Sequence, residues 1–103
     1  MGSMVARKDF NRYMMPVYKP AEFIPLKAKG SIVWDKKNKK YIDFASGIAV
    51  TSLGHCHPEL NKALADQSKK IWHLSNLLTN EPALRLAKIF CKHTFAEKVF
   101  FSN

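Results

Sequence analysis

Two kinds of hydrophobic pattern divide the chain, a short-period one in its first half and a helical one in its second half. Residues 31–35 (Ser-Ile-Val-Trp-Asp) are rich in strand formers, and residues 41–44 alternate between the two faces of a strand. The lysine-rich stretch 36–40 lies between them, and Asn38 within it suits a turn because asparagine tolerates a left-handed backbone. The pattern therefore predicts a β-hairpin, preceded by an extended segment at residues 23–30.

The second half of the chain predicts two amphipathic helices. Pro58 suits a first helical position, and apolar side chains recur at helical spacing from there to about Ile71. Asn80 is predicted to cap a second helix, with Glu81 in its first turn. The predicted buried face of that helix comprises Ala83, Leu86, Ala87 and Phe90. The apolar run at residues 98–101 predicts a final strand.

These elements divide the chain into three segments. Residues 1–20 show no sustained periodicity and are predicted to form an N-terminal arm that packs on a partner subunit or on another domain. Residues 21–54 hold the hairpin and a segment of small side chains, which indicates the close approach of a ligand or of another backbone. Residues 55–103 hold the two helices and the predicted strand. The residues thus predict an α/β chain.

The charge balance raises the question of a polyanionic partner. Seventeen Lys and Arg residues against eight Asp and Glu give a formal net charge of +9. The basic residues are scattered along the chain, and only residues 36–40 form a dense cluster, as expected for a solvated turn. We therefore predict no nucleic-acid partner. A small basic nucleic-acid-binding module stays the alternative, and a concentrated basic face with exposed aromatic side chains would identify it.

Cysteine content and hydropathy bear on the compartment. Cys56 and Cys91 are the only cysteines, too few for a secreted disulfide framework, so we predict reduced thiols in the cytoplasm. No apolar run approaches the roughly 20 residues that a membrane span requires. The first residues also lack the apolar core of a signal peptide. The sequence predicts no membrane partner.

No complete set of catalytic or metal-binding residues is present. His55-Cys56-His57 invites a metal, but a structural zinc site usually draws four ligands from two separated pairs, and nothing positions Cys91 and His93 toward the first pair. A small metal-binding domain stays a second alternative, although we predict no metal. The four glycines form neither a phosphate-binding loop nor a dinucleotide fingerprint, and no Gly-x-Ser-x-Gly nucleophile motif occurs.

A resemblance to a known family adds to this picture. The residues that carry it are Phe23-Ile24-Pro25, Gly30-Ser31, Trp34-Asp35, Tyr41-Ile42-Asp43-Phe44, Ser46-Gly47-Ile48-Ala49-Val50 and Leu53-Gly54-His55-Cys56-His57-Pro58. Together they resemble the opening of class III pyridoxal-phosphate-dependent aminotransferases. Two later runs are similar to the acetylornithine branch of that family, namely Trp72-His73-Leu74-Ser75-Asn76 and Thr79-Asn80-Glu81-Pro82-Ala83-Leu84-Arg85-Leu86. The resemblance covers residues 13–103.

The resemblance implies the N-terminal segment of a fold type I transferase, comprising the β-hairpin, the two helices and the first strand of the large domain, which leads into the cofactor-binding domain. It implies pyridoxal 5′-phosphate as cofactor and a homodimer with active sites at the subunit interface. It also implies transfer of the terminal amino group of N2-acetylornithine to 2-oxoglutarate, in arginine biosynthesis. Succinylornithine, succinyldiaminopimelate or ornithine as the amino donor remain open alternatives.

The resemblance assigns few site residues to this chain. Ser46, Gly47 and Ile48 are expected to form a substrate-side wall, and Asn103 is expected at the edge of the phosphate site. Backbone packing is an equally good account of Ser46 and Asn103. Ornithine aminotransferase has a tyrosine where this chain has Ile48, and an apolar residue there fits an acetylated donor. No catalytic residue is assigned, because the family's Schiff-base lysine motif matches none of the lysines in this chain.

Overall fold

The computed structural model describes residues 4–103, which form two compact units, residues 4–63 and residues 64–103. Residues 1–3 of the predicted arm lie outside the described residues. The elements in chain order are α1 (Asp9–Tyr13), β1 (Pro25–Lys29), β2 (Ile32–Asp35), β3 (Lys40–Ile42), α2 (Ser46–Ala49), α3 (Pro58–Ser68) and α4 (Glu81–His93). The boundary between the two units falls within α3.

The first unit is built on a three-stranded antiparallel sheet with the order β1-β2-β3. The predicted hairpin is confirmed as β2 and β3. The segment before the hairpin is not only extended, as predicted, but also forms a third strand of the sheet. This strand, β1, pairs with β2 through Lys29 opposite Ile32 and Ala28 opposite Val33. A bulge interrupts this ladder between Pro25 and Lys27, where the proline cannot donate a hydrogen bond.

The hairpin turn is organised by Asp35. Its Oδ1 accepts hydrogen bonds from the backbone N–H groups of Lys37 at 2.8 Å and Lys39 at 2.9 Å. Asn38 has a φ of 61°, which confirms the left-handed position predicted for it. The Tyr41 hydroxyl donates to Asp35 Oδ2 at 3.0 Å and its ring stacks on Phe23, with 4.1 Å between ring centroids. The lysine-rich stretch is therefore a well-formed turn.

The arm contains more structure than its sequence pattern predicts. A five-residue helix, α1, occupies Asp9–Tyr13. The Arg7 guanidinium donates to the carbonyl oxygens of Pro20 at 2.8 Å and Ala21 at 2.6 Å, which ties the start of the arm to its end. Such long-range side-chain bonds leave no periodic signal in a sequence. The predicted packing of the arm on a partner subunit or another domain stays a prediction.

The two predicted helices are confirmed as α3 and α4. Helix α3 starts at Pro58 as expected but ends at Ser68, three residues before the predicted limit. Asn80 caps α4, since its Oδ1 accepts the N–H of Ala83 at 2.9 Å. The final strand is a correction: residues 98–101 form no strand in the structure. A strand is defined by a hydrogen-bonded neighbour, and no described residue provides one there.

The burial of apolar side chains is the property in which the structure differs most from what the sequence predicts. No residue among the described 4–103 is buried. The predicted buried face of α4 is not covered, because Leu86 and Phe90 keep 43% and 42% of their surface exposed. Amphipathic periodicity predicts which face of a helix is apolar and stable when buried, but it does not show which other element packs against that face. None of the helices in residues 4–103 is long and apolar enough to cross a membrane.

Candidate functional site

The segment of small residues folds into a left-handed turn. Four consecutive residues of α2, namely Ser46, Gly47, Ile48 and Ala49, have φ values of 52°, 60°, 62° and 62°. A left-handed conformation costs an L-residue about 1–2 kcal/mol because Cβ approaches the following carbonyl oxygen. Only one of the four residues is glycine. Backbone strain of this kind persists where the surrounding structure holds it, often at functional sites.

Backbone hydrogen bonds close this turn. The Ile48 N–H donates to the Ala45 carbonyl at 2.9 Å. The N–H groups of Val50 and Thr51 both donate to the Ser46 carbonyl, at 2.8 and 2.9 Å. The closed turn directs the Ile48 side chain outward, with 92% of its surface exposed. The chain thus presents an apolar side chain from a backbone with little freedom to relax.

Asp43 anchors the start of the left-handed turn. Its Oδ1 accepts hydrogen bonds from the N–H groups of Ala45 and Ser46, both at 2.9 Å. The Ser46 N–H and then the His55 ring lower the pKa of the Asp43 carboxyl. A lowered pKa means that the carboxylate stabilises the folded turn at neutral pH. This contribution is lost in acid, as the pH falls through the lowered pKa.

His55 holds the other oxygen of the same carboxylate. Its Nε2 lies 2.6 Å from Asp43 Oδ2, and the two side chains are 25% and 16% exposed. The backbone of His55 is fixed independently by a bridge to Gly30. In that bridge the Gly30 N–H donates to the His55 carbonyl at 2.9 Å, and the His55 N–H donates back at 2.8 Å. His55 therefore links the end of β1 to the turn through Asp43.

The bridge to His55 depends on a close approach of two glycines. Gly54 has a φ of 82°, and a Cβ placed on it would lie 3.0 Å from the Cα of Gly30. Gly30 has a φ of 57°, but a Cβ there would meet open space. At both positions the positive φ disfavours a residue with a side chain. At Gly54 a side chain would also come too close to the Gly30 backbone.

Gly54→Ala is expected to disrupt the bridge more than Gly30→Ala. Both variants carry a left-handed penalty of about 1–2 kcal/mol, and the clash adds to it at Gly54 alone. Hydrogen exchange of the Gly30 and His55 amides in the full-length protein that carries this chain measures the effect. We expect exchange to accelerate at least tenfold more in Gly54→Ala than in Gly30→Ala. Equal rates in the two variants would contradict the close approach.

The sequence-predicted site residues fall in two places. Ser46, Gly47 and Ile48 all lie in the left-handed turn, with Ser46 half-buried. Asn103 belongs to the second unit, where it is exposed. Sequence reasoning missed the roles of Asp43 and His55. The available signal was an aspartate followed two and three residues later by small residues whose N–H groups its side chain caps.

His55-Cys56-His57 does not act as a unit. Whereas His55 contacts Asp43, His57 Nδ1 accepts the N–H of Glu59 at 3.3 Å near the start of α3. Cys56 and Cys91 are free thiols on the surface. Within residues 4–103, no three His, Cys, Asp or Glu side chains are grouped so that they could hold a metal ion.

The second unit has an open groove beside the start of α4. Lys70, Trp72 and His73 line one part of it, and Asn80 and Arg85 line another. Asn80 is used as the helix cap, and Arg85 pairs with Glu81 one turn earlier. These polar groups thus have structural roles, and the groove contains none of the predicted site residues.

Comparison with known proteins gives a consistent result. Residues 13–103 match the family model of class-III aminotransferases. A curated relative from Buchnera aphidicola subsp. Schizaphis graminum, named acetylornithine/succinyldiaminopimelate aminotransferase, is 62% identical over 97% of this chain. The match covers 25% of that relative, so the chain spans about a quarter of the length of the curated relatives it matches.

Solved structures agree with the sequence comparison. N-acetylornithine aminotransferase from Stenotrophomonas maltophilia matches 93% of this chain and 25% of its own, with a TM-score of 0.80 and 37% identity. Ornithine aminotransferase from Toxoplasma gondii, described with partial occupancy of PLP at its active site, matches 88% of this chain and 21% of its own. Its TM-score is 0.81 at 25% identity. The predicted fold class is confirmed by these similarities.

Proposed function

The chain belongs to the class-III aminotransferase family, and from that premise we propose that it forms part of an enzyme that transfers the terminal amino group of N2-acetylornithine to 2-oxoglutarate. The observation that carries the proposal is its high identity to a relative named for acetylornithine. In this role the enzyme would serve arginine biosynthesis. Succinyldiaminopimelate, which the same relative's name includes, is the second candidate donor.

The family implies pyridoxal 5′-phosphate, which when bound would accept and release the amino group in transit. The residues of this chain fit only the margin of such a site. Asn103 is exposed and carries an amide N–H that suits a phosphate oxygen, as proposed from the resemblance. Every lysine in the chain is exposed.

The part of this chain in the reaction is to shape the donor side of the site. Ser46, Gly47 and Ile48 would form the wall against which the donor packs. The exposed Ile48 side chain would contact the acetyl methyl group and shield the donor from water. Ile48 itself has no hydroxyl, so its position in the wall offers no polar partner to the free α-amino group of ornithine.

We further propose a cytoplasmic homodimer. The free thiols of Cys56 and Cys91 support a reducing compartment. The many exposed apolar side chains support extensive contacts with other protein surface, part of it contributed by a second copy. The arm at residues 1–20 is our candidate for a segment that reaches the partner subunit.

Donor preference in the full-length protein that carries this chain tests the proposal. We expect turnover with N2-acetylornithine and 2-oxoglutarate in the presence of added cofactor, and a higher kcat/KM for this donor than for ornithine. Ile48→Tyr is expected to lower the ratio of the two kcat/KM values by about tenfold, since a tyrosine would narrow the space that the wall leaves for the acyl group and would offer a hydroxyl. Ile48→Leu is the matched control and should preserve the ratio.

Each failure has a distinct meaning. No turnover with any acylated donor by the wild-type protein would refute the proposed reaction. Turnover with succinyldiaminopimelate but not N2-acetylornithine would replace the donor while keeping the reaction. An unchanged ratio in Ile48→Tyr would remove Ile48 from the substrate wall.

A further inference from the structure

The left-handed turn needs support from outside itself. Three of its four residues, Ser46, Ile48 and Ala49, are L-residues in a conformation that they avoid when free. The hydrogen bonds from the Val50 and Thr51 N–H groups to the Ser46 carbonyl close the turn. Both bonds lie within the turn, so they do not fix its position relative to the sheet. A further contact must fix where the turn begins.

Asp43 provides that contact from the end of β3. Its Oδ1 accepts both of the first free N–H groups, those of Ala45 and Ser46, at 2.9 Å. One carboxylate oxygen therefore sets the direction in which the chain enters the turn. The orientation of the carboxylate depends on what holds its second oxygen.

The second oxygen is held by His55, which comes from a distant part of the chain. The Nε2–Oδ2 distance of 2.6 Å is that of a strong hydrogen bond between a ring N–H and a carboxylate. The His55 backbone is itself bridged to Gly30 at the end of β1. The position of the ring beside Asp43 is thus set by the strand that His55 pairs with and does not depend on the turn. His55 can therefore hold the turn in place from outside it.

We propose that His55 is a positioning residue, which acts through Asp43 to hold the left-handed turn so that Ile48 faces the acyl group of the amino donor. This inference rests on the proposed function for its substrate. His55 does not touch the donor itself. It determines how well the apolar wall fits an acylated donor compared with a donor that has no acyl group.

Variants of His55 in the full-length protein test the inference. His55→Leu removes the ring N–H, and we expect the kcat/KM ratio of N2-acetylornithine over ornithine to fall about tenfold, mainly through a higher KM for the acylated donor. His55→Gln keeps an N–H donor at similar reach and should restore the ratio to within about threefold of wild type. His57→Leu is the matched control, because the His57 ring accepts the N–H of Glu59 whereas the His55 ring holds Asp43, and it should leave the ratio unchanged.

A second readout does not depend on the reaction. Hydrogen exchange of the Val50 and Thr51 amides reports whether the turn is closed. We expect His55→Leu to accelerate it about tenfold while the amides of β2 and β3 keep their protection, which shows that the sheet remains folded. Asp43→Ala should have the same or a larger effect, since it removes the acceptor for two N–H groups.

The outcomes separate the two proposals. If the wild-type protein transfers no amino group from any acylated donor, the proposed function fails, and the exchange rates still decide the role of His55. If Val50 and Thr51 exchange in His55→Leu as in wild type, His55 does not hold the turn. If the turn opens but the donor kcat/KM ratio is unchanged, His55 does not position the wall through this hydrogen bond. The same conclusion follows if His55→Gln lowers the ratio as much as His55→Leu does.

Discussion

Assayed alone with N2-acetylornithine, 2-oxoglutarate and added pyridoxal 5′-phosphate, the 103-residue chain is expected to give no turnover above a no-protein background. Covalent catalysis by an amine requires a lysine held against the carbonyl group that it attacks, with a pKa lowered by desolvation or by a neighbouring cation. Every lysine of this chain is exposed. None is therefore enclosed against a bound carbonyl group, as this role requires.

The full-length protein, purified in the same way, is the positive control for this assay. Turnover by the short chain that scales with its concentration and survives a second purification step would contradict the expectation. Absorbance of a lysine-bound cofactor in the visible range gives an independent measurement, and we expect none for the short chain.

The second large effect concerns the physical state of the isolated chain, which we expect to self-associate instead of behaving as a stable monomer. No residue among 4–103 is buried, and Phe95, Phe100 and Trp72 keep 100%, 89% and 86% of their surface exposed. Burying one such side chain is worth roughly 1.5–3 kcal/mol. Losing several of these contributions is severe against a usual domain stability of about 5–15 kcal/mol.

Sedimentation velocity and thermal unfolding at several protein concentrations measure this state. We expect oligomers or aggregates, with a broad transition whose midpoint depends on concentration. Phe100→Ser should shift the distribution toward smaller species, whereas Lys98→Ser, a polar change two residues away, should not. A monodisperse monomer with a sharp, reversible and concentration-independent transition would contradict the expectation.

The features that could be predicted from the sequence are those set by nearby residues. The turn at Asn38, the start of α3 at Pro58 and the cap of α4 at Asn80 each depend on contacts within about four positions. Caps and turns of this kind can be predicted from the sequence because the interacting groups lie close together in the chain.

The features that could not be predicted depend on distant or unfavourable contacts. The pairing of His55 with Asp43 joins residues twelve positions apart, whereas the local pattern His55-Cys56-His57 suggests a metal ligand. The left-handed turn goes against the local preference of Ile48 and Ala49, so propensity alone argues against it. The family resemblance indicates Ser46, Gly47 and Ile48 as site residues, but only the structure shows the left-handed conformation that they share.

The two tryptophans give each unit of the chain its own optical signal. Trp34 is half-buried in β2 with the Lys27 ammonium 5.4 Å from its ring centroid, whereas Trp72 is 86% exposed in the second unit. Indole emission moves to longer wavelength in water, so the two fluorophores differ in colour and in access to soluble quenchers. Replacing Trp72 with Phe would leave an emission that reports on the sheet alone. The order in which the two units acquire structure can thus be followed without any added label.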